Sequence, residues 1–326
     1  MIAIVYESYG SPDVLEFKEV EKPAPKSDQV LIKIHATTVT SADWRVRSLT
    51  VPTGFRLMMR LVFGFSKPKQ PILGSELAGV IESVGNFVTQ FKVGDAVFAF
   101  ADAHMGCHAQ YKCMSQDSAI ALKPANMSFE EAAAMSFGAT TALDFFRRAK
   151  LQRGESVLIN GASGAVGTAA IQLAKHFGAD VTAVCSTSNL DFVKSLGANH
   201  VIDYTKADFT QNGKTYDVIM DNAGTAPFSR SKGSLKPNGR LLLVLAGLPD
   251  MLQGLWVSIS SKQKVIAGPA SSKAEDLRYL AELAVECKFK PVIDRSYPFE
   301  QIVEAHRYVD IGRKKGNVAI TINHTD

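Results

Sequence analysis

The sequence predicts an α/β protein with a doubly wound parallel sheet and a second, β-rich domain, and three observations lead to this class. From residue 156 to about residue 268, short apolar runs alternate with segments of helical periodicity, as in parallel sheets covered by helices on both faces. The apolar run at 157–160 passes directly into a glycine-rich turn at 161–167. Before residue 125, alternating runs are separated by closely spaced turn residues, which favours a compact antiparallel barrel or sandwich.

Periodicity places the elements of the α/β region in chain order. The expected strands lie at 157–160, 181–185, 200–202, 217–221, 240–245 and 264–268. The expected helices lie at 165–177, 189–196, 227–235 and 273–287. Ser128 and Glu131 have the spacing of a capping box that opens an alanine-rich helix. Because a last strand at 317–322 returns to the β style, we expect residues 1–125 and 269–326 to form one domain, interrupted by a dinucleotide-binding domain at 126–268.

The glycine turn carries the strongest functional signal in the chain. Gly161 allows a tight turn out of the strand, and Gly164 lets backbone N–H groups approach a phosphate without an intervening Cβ. Gly167 lets the helix pack close to the strand, and the helix N-terminus adds a positive dipole. We therefore predict that a dinucleotide pyrophosphate binds here, at Gly161, Ser163, Gly164, Ala165, Val166 and Gly167.

Composition excludes several other classes of protein. The net charge of +4, from 36 Lys and Arg against 32 Asp and Glu, is too small and too evenly spread to indicate a nucleic-acid or membrane partner. No apolar stretch reaches the ~18 residues of a membrane span. Four cysteines in a chain of 326 residues do not form a disulfide framework, and the N-terminus has no secretion signal. We expect a cytoplasmic enzyme with a small-molecule substrate.

The end of the second strand favours NADP over NAD. NAD enzymes usually place an acid here to bind the ribose 2′-hydroxyl. This chain has Ser186, Thr187 and Asn189 instead, with no acid before Asp191, and hydroxyl groups can donate to a 2′-phosphate. An alternative stays open, in which the serines only cap the next helix and either cofactor fits.

Taken together, the ordered motifs of the chain resemble those of the medium-chain dehydrogenase/reductase superfamily, and most closely its zinc-independent quinone oxidoreductase (zeta-crystallin-like) branch. The segments that carry the resemblance lie at 71–81, 91–97, 137–142, 154–158, 161–167, 196–204 and 235–240. The resemblance spans essentially the whole chain and implies a Rossmann domain with a β-rich GroES-like barrel domain. One departure is Ala165, where the branch has a second glycine.

The resemblance also implies roles for further residues. Tyr204 matches a residue near the adenine, while the nicotinamide and ribose side is implied for Thr140, Asn222, Ala246, Gly247 and Asn317. Relatives carry Lys or Arg at the positions of Ser188 or Asn189, and this chain lacks both; Lys194 is a possible substitute. Relatives are usually dimers, or tetramers of dimers, joined through the last strand of the sheet, which predicts a homodimer through strand 264–268.

Zinc is not expected. At the places where zinc-dependent relatives hold their catalytic metal, this chain has Thr40, Ser75 and Phe137 or Gly138, and the structural four-cysteine lobe is missing. A second group has spacing that could suit zinc, at His104, Cys107, His108 and Cys113. Strand alternation would point Cys107 and His108 to opposite faces, so we favour a structural reading of this group.

Without a metal to polarise an oxygen atom, the expected substrate is a small, apolar and already electrophilic acceptor. Quinones, enones and 2-alkenals fit, with hydride delivered from NADPH. For polar groups near the substrate we select Thr40 and Asp43, although Asp43 could instead be structural and pair with Arg45 or Arg47. The apolar segment 49–65, a predicted short amphipathic helix, would either roof the substrate or cover the core.

Two other functions stay open. Enoyl-thioester reductases of this superfamily use a tyrosine a few residues after the loop that carries Thr40, and residues 44–60 contain none. A crystallin-like protein that binds NADPH with little turnover is the other alternative.

Overall fold

The computed structural model describes residues 1–324. Within them the strands, in chain order, are β1 Ile2–Tyr6, β2 Leu15–Glu19, β3 Gln29–Val39, β4 Glu76–Val84, β5 Ala96–Phe100, β6 Tyr111–Ser115, β7 Ile120–Leu122, β8 Ser156–Asn160, β9 Asp180–Cys185, β10 His200–Asp203, β11 Tyr216–Asp221, β12 Leu235–Leu243, β13 Lys264–Ala267, β14 Ile293–Pro298 and β15 Asn317–Thr321. The helices are α1 Ser41–Ser48, α2 Arg56–Phe63, α3 Phe129–Ala134, α4 Ser136–Ala149, α5 Ala165–His176, α6 Leu190–Ser195, α7 Phe228–Ser231, α8 Leu248–Ser260, α9 Ala274–Val285 and α10 Ile302–Asp310.

The chain divides into two compact units. The mixed-β unit comprises residues 1–51, 56–137 and the chain from 272 onward, and the parallel-sheet unit comprises residues 52–55 and 138–271. The domain limits expected from the sequence, after residues 125 and 268, stay a prediction.

The parallel-sheet unit contains one six-stranded sheet in the order β10-β9-β8-β11-β12-β13. All five strand pairs are parallel. Numbered within the unit, this order is 3-2-1-4-5-6, the order of doubly wound dinucleotide-binding sheets. The central strand β8 is apolar and buried at Val157, Leu158 and Ile159, as a strand covered on both faces must be. This topology confirms the α/β class that the sequence predicts.

The strand order reverses between β8 and β11, and ligands of such sheets bind at the carboxyl ends of the strands at this reversal. Asn160 ends β8 and Asp221 ends β11, with the two residues paired in register. The glycine turn follows Asn160 directly. The topology therefore brings the predicted pyrophosphate turn and the loop after Asp221 together at the carboxyl ends of the strands.

The mixed-β unit is built around β3, a strand of 11 residues. Its seven-stranded sheet has the order β14-β15-β3-β4-β5-β7, with β6 also paired to β3. Only β14 and β15 are parallel, and a separate hairpin of β1 and β2 completes the strands of this unit within residues 1–324. The capping box predicted at Ser128 and Glu131 is present at the start of α3.

Some elements differ from the sequence prediction. Helix α8 was not predicted, because apolar residues cover several of its faces and blur the usual period. The helix expected at 227–235 is a single α-turn, α7, followed by a 3-10 turn at Lys232–Ser234 and then by β12.

Within residues 1–324, no helix combines the length and the apolar composition needed to cross a bilayer. The four cysteines are free thiols.

Candidate active site

The glycine turn joins β8 to α5. Gly161 has a φ of +73°, in the left-handed region that favours glycine. A Cβ on Gly167 would lie 2.3 Å from the carbonyl oxygen of Gly161 and 2.7 Å from the Cα of Ala162. Both positions therefore require glycine for reasons within the protein itself.

Gly164 has a different environment. It is the N-cap of α5, and the nearest atom to a Cβ placed there would be the carbonyl oxygen of Gly161, at 3.8 Å. The space before the helix is thus open, and the first N–H groups of α5 have no intrahelical acceptors. Such an opening is what a dinucleotide pyrophosphate needs.

Buried Asp221 shapes the loop that follows β11. Its carboxylate accepts hydrogen bonds of 2.8–3.1 Å from three backbone N–H groups of the loop 223–226. It also accepts one of 2.9 Å from Nδ2 of Asn160. These bonds hold the loop beside the glycine turn. The sequence signal for this role is an acid at the end of an apolar strand, and Asp221 was not among the predicted site residues.

The loop that Asp221 holds begins with Asn222, one of the predicted cofactor residues. Both polar atoms of the Asn222 side chain are buried, and neither has a hydrogen-bond partner within residues 1–324. Buried amide groups are normally paired, since leaving one unsatisfied costs about 1–3 kcal/mol. The amide of Asn222 is therefore suited to bind a polar group of a ligand at the carboxyl ends of the strands.

The carboxyl ends of β9 and β10 lie side by side and carry the residues predicted to bind the adenosine half of the cofactor. Nδ2 of Asn189 donates to the hydroxyl of Ser186 at 3.2 Å. The hydroxyl of Thr187 donates to the Asp203 carboxylate at 2.5 Å. Tyr204 follows Asp203 with its side chain largely exposed, as a ring that stacks on a base would be.

Asp203 is a site residue that the sequence does not reveal, because its partner Thr187 follows the neighbouring strand β9, 16 residues earlier in the chain. Its carboxylate also accepts from the N–H and hydroxyl of Thr205, at 3.0 Å and 2.7 Å. The bond from Thr187 and those from Thr205 hold the pKa of Asp203 below its usual value, so the group is anionic at neutral pH. Nζ of Lys206 lies 3.8 Å from the same carboxylate.

The remaining predicted cofactor residues fall at several places. Thr140 lies in α4, Ser163 in the glycine turn, and Ala165 and Val166 in the first turn of α5. Ala246 and Gly247 precede α8, where the N–H of Gly247 donates to Asp250 at 2.9 Å. Asn317 lies in the mixed-β unit, where its Nδ2 donates to the carbonyl oxygen of Val292 at 3.0 Å.

In the mixed-β unit, Thr40 and Asp43 form a reciprocal capping box at the start of α1. The hydroxyl and the backbone N–H of Thr40 donate to Oδ2 of Asp43 at 2.6 Å and 2.7 Å. Oδ1 of Asp43 accepts from the N–H of Gly74 at 2.9 Å. Asp43 therefore has a structural role, as the alternative expected, but its carboxylate is held by Thr40 and Gly74 and not by Arg45 or Arg47. Arg47 pairs with Asp310 at 2.6 Å instead.

Ser75 and Glu76 follow Gly74 at the start of β4. The hydroxyl of Ser75 is buried and has no hydrogen-bond partner in the part of the chain that the structure describes. The carboxyl group of Glu76 accepts from the hydroxyl of Thr38 and from the N–H of Phe137. Because burial outweighs these bonds, the pKa of Glu76 rises to about 7. An acid directly before the apolar run 77–81 was the sequence signal for this group.

The positive charge of Lys314 acts on Glu76 and partly opposes the rise of its pKa. Burial lowers the pKa of Lys314 to about 8, and the charges of Glu76 and Asp294 oppose that shift. Its Nζ donates to the carbonyl oxygen of Gly316 at 2.6 Å. The mixed-β unit thus holds an acid and a base whose pKa values both lie near neutrality.

In the group at 104–113 that could suit zinc by its spacing, His108 and Cys107 are both buried within the mixed-β unit. Nε2 of His108 lies 2.9 Å from the carbonyl oxygen of Thr38, and Cys107 is buried with the pKa of its thiol raised to about 12 by burial. In residues 1–324, no three His, Cys, Asp or Glu side chains are grouped to hold a metal ion.

The parallel-sheet unit fits a nicotinamide dinucleotide. The open N-terminus of α5 suits the pyrophosphate, Tyr204 suits the adenine, and the unsatisfied amide of Asn222 suits the nicotinamide side. When bound, such a cofactor supplies a hydride.

Comparison with known proteins places this geometry in a family. Residues 26–141 match the family model described as an alcohol dehydrogenase GroES-like domain, and residues 196–320 match the one described as a zinc-binding dehydrogenase. A chloroplastic quinone-oxidoreductase homolog of Spinacia oleracea is 33% identical, with 98% of each chain covered. A 2-methylene-furan-3-one reductase of Solanum lycopersicum is 35% identical over 98% of this chain and 79% of its own length.

Among solved structures, a quinone oxidoreductase from Coxiella burnetii superposes with a TM-score of 0.88 at 28% identity, covering 99% of each chain. The resemblance inferred from the sequence motifs is thereby confirmed. The chain belongs to the medium-chain dehydrogenase/reductase superfamily, in its quinone oxidoreductase branch, and is an oxidoreductase enzyme.

Proposed function

We propose that this enzyme is a zinc-free, NADPH-dependent reductase of quinones and of α,β-unsaturated carbonyl compounds such as enones and 2-alkenals. One observation carries the proposal. Where zinc-dependent relatives hold their metal, this chain has Ser75, a buried hydroxyl, and Thr40, whose hydroxyl is committed to Asp43. Neither residue supplies the thiolate or imidazole that zinc requires.

The absence of suitable zinc ligands restricts the substrate. These hydroxyl side chains supply only hydrogen bonds and no strong Lewis acid to polarise the oxygen of an alcohol or a simple ketone, which argues against alcohol dehydrogenation. A conjugated carbonyl accepts hydride at its β-carbon, and the resulting enolate takes a proton. A quinone accepts hydride and a proton to give the hydroquinone. The relatives named for quinone and furanone reduction support this substrate class.

NADPH is the proposed hydride donor. Ser186 and Thr187 stand where many NAD enzymes carry an acid, and Lys206 adds a cation next to this strand end. The Asp203 carboxylate opposes a 2′-phosphate, so we expect a modest preference for NADPH with NADH also accepted.

An acceptor screen tests the reaction and the cofactor together. Purified enzyme is assayed with NADPH and NADH in parallel, against a quinone, a 2-alkenal, an enone, an enoyl thioester and a simple alcohol–ketone pair, before and after treatment with a chelator. We expect turnover of the quinone and the conjugated carbonyls, unchanged by the chelator. Because one matched family is described as zinc-binding, activity that is lost on chelation and restored by zinc would overturn the zinc-free assignment. NADPH binding without turnover of any acceptor would overturn the reductase.

A further inference from the structure

The outward face of α2 is apolar and exposed. Leu57, Met58, Leu61 and Val62 occupy positions i, i+1, i+4 and i+5 of the helix, so they share one side of it. Each is between 49% and 63% exposed, and Phe65 just after the helix is 61% exposed. We call these five side chains the apolar face of α2. Large contiguous apolar patches are uncommon on the surfaces of monomeric soluble proteins, and they usually mark a site of interaction.

The opposite face of α2 is held against the mixed-β unit. Met59 and Phe63 pack on the buried core of that unit. The hydroxyl of Tyr9 donates to the carbonyl oxygen of Gly64 at 2.8 Å, just beyond the helix end. The N–H of Lys69 donates to the carbonyl oxygen of Phe63 at 2.7 Å. The helix is therefore anchored from behind, and its apolar face is directed outward by that packing.

Charge distinguishes this surface from the other exposed apolar residues. From residue 44 to residue 75 the chain contains no Asp or Glu. Arg56, Arg60, Lys67 and Lys69 lie in or just after α2, and none of them forms an ion pair with an acid in residues 1–324. Arg56 and Lys67 are exposed, whereas the guanidinium of Arg60 lies over the ring of Phe65 and Nζ of Lys69 donates to the carbonyl oxygen of Leu61. The overall balance of +4 had concealed this local excess of positive charge.

We propose that α2 docks on the surface of an anionic phospholipid membrane. The apolar face enters the boundary between headgroups and acyl chains, and the exposed cations Arg56 and Lys67, at the start of the helix and just after it, contact lipid phosphates, as in helices that lie in the membrane interface. A second copy of the chain is a poorer occupant, because it would bring four more cations against these four. A nucleic acid offers phosphates but no apolar layer for Leu57 and Leu61.

This inference revises one expectation drawn from the sequence. The absence of a membrane partner was expected because the chain has no spanning segment and little net charge, whereas a helix lying on the surface needs neither. Docking does not depend on the proposed function. It would nevertheless suit an enzyme whose apolar acceptors dissolve in lipid.

Co-sedimentation with vesicles tests the proposal. The full-length protein is mixed with vesicles of phosphatidylcholine alone, and with vesicles in which phosphatidylglycerol replaces about a third of the lipid. We expect sedimentation only with the anionic vesicles, and less of it as salt is added. Failure of the wild-type protein to sediment with anionic vesicles would overturn the proposal.

Matched variants locate the contact. Leu61→Asp and Arg56→Glu should each reduce the apparent partition coefficient at least tenfold, while Arg56→Lys should retain it. Phe87→Asp is the control, since Phe87 is a 71% exposed apolar residue of the same unit outside α2. Thermal unfolding verifies that each variant is folded. Wild-type sedimentation by Leu61→Asp and Arg56→Glu would overturn the proposal, as would an equal loss in Phe87→Asp.

Discussion

The hydroxyl of Thr187 donates to the carboxylate of Asp203 over 2.5 Å, and this bond joins the carboxyl ends of β9 and β10. It places an anion at the strand end where the sequence shows only hydroxyl side chains. The Asp203 side chain is only 9% exposed and is held by several donors, so it is a fixed part of this edge. A carboxylate here favours a ribose 2′-hydroxyl and opposes a 2′-phosphate.

Asp203→Asn should therefore raise the affinity for NADPH relative to NADH. Removing one negative charge near the 2′-phosphate is worth about 1 kcal/mol in a solvated site, or roughly a fivefold change in the ratio of the two dissociation constants. Fluorescence titration with each nucleotide measures both constants. The control is Asp180→Asn, which removes the same charge at the opposite end of β9 and should leave the ratio unchanged. An unchanged ratio in Asp203→Asn would contradict this reading of the site.

The glycine turn predicts two different outcomes for the same kind of substitution. Gly167→Ala places a Cβ 2.3 Å from the carbonyl oxygen of Gly161, so the backbone must shift. We expect a loss of about 1–3 kcal/mol in the free energy of unfolding, as overpacking usually costs. Gly164→Ala meets nothing closer than 3.8 Å, so its loss should stay near the ~1 kcal/mol of a weakened N-cap.

Among folded molecules the two variants should rank the other way round for cofactor affinity, with the larger loss in Gly164→Ala. The new methyl group of Gly164→Ala occupies the space before α5, so NADPH affinity should fall at least tenfold although the fold is kept. Denaturant unfolding and nucleotide titration of both variants provide the two measurements. Wild-type NADPH affinity in Gly164→Ala would show that the pyrophosphate does not approach α5 at this residue.

Much of the fold could be predicted because it depends on local patterns. The alternation of apolar strands and helices, and the glycines at 161–167, are written in consecutive residues. The capping box of Thr40 and Asp43 is equally local, with a spacing of three residues, so the residue pattern could have predicted it in place of a pairing of Asp43 with Arg45 or Arg47.

Other features could not be predicted because they depend on contacts between distant segments. Thr187 and Asp203 are 16 residues apart, and Thr38 and Glu76 are 38 apart. Each pair meets only once the strands are in register, so no local pattern identifies it. The pKa of Glu76 likewise follows from its burial within the assembled unit.

Glu76 should make stability depend on pH in a particular direction. Its pKa is about 7 in the folded protein against a usual value of 4.5, so between these values the folded state binds more protons than the unfolded state. The contribution of this group to the free energy of unfolding is greatest below about pH 4.5, and it decreases as the pH rises towards 7. In Glu76→Gln the side chain does not ionise, so the variant does not lose stability in this way as the pH rises.

The stability of Glu76→Gln relative to wild type should therefore increase by up to about 3 kcal/mol between about pH 4.5 and about pH 7.5. Urea unfolding at several pH values measures the difference. Glu82→Gln is the matched control, because Glu82 lies in the same strand but is partly exposed and pairs with Lys22 at the surface. A flat difference between Glu76→Gln and wild type across this range would show that Glu76 stays ionised in the fold.

The edge of the parallel sheet supplies the last prediction. Strand β13 is at the sheet edge with no neighbour beyond it in residues 1–324, and α8 packs against it, with Ser258 accepting from the N–H of Val265 at 3.2 Å. The outer side of α8 exposes Leu255, Trp256 and Ile259 by 65%, 70% and 86%. The only charged residue of this helix is Asp250, so the surface is apolar and uncharged, unlike that of α2. An unpaired edge strand beside such a helix suits a second copy of the chain, related by a twofold axis.

Ile259→Asp should convert the expected homodimer to a monomer at micromolar concentration, because it would bury a charge in the interface. Sedimentation velocity measures the change, with Val285→Asp, at an exposed position of α9, as the control that should remain dimeric. A monomeric wild-type protein, or a dimeric Ile259→Asp variant, would place any self-association elsewhere on the molecule.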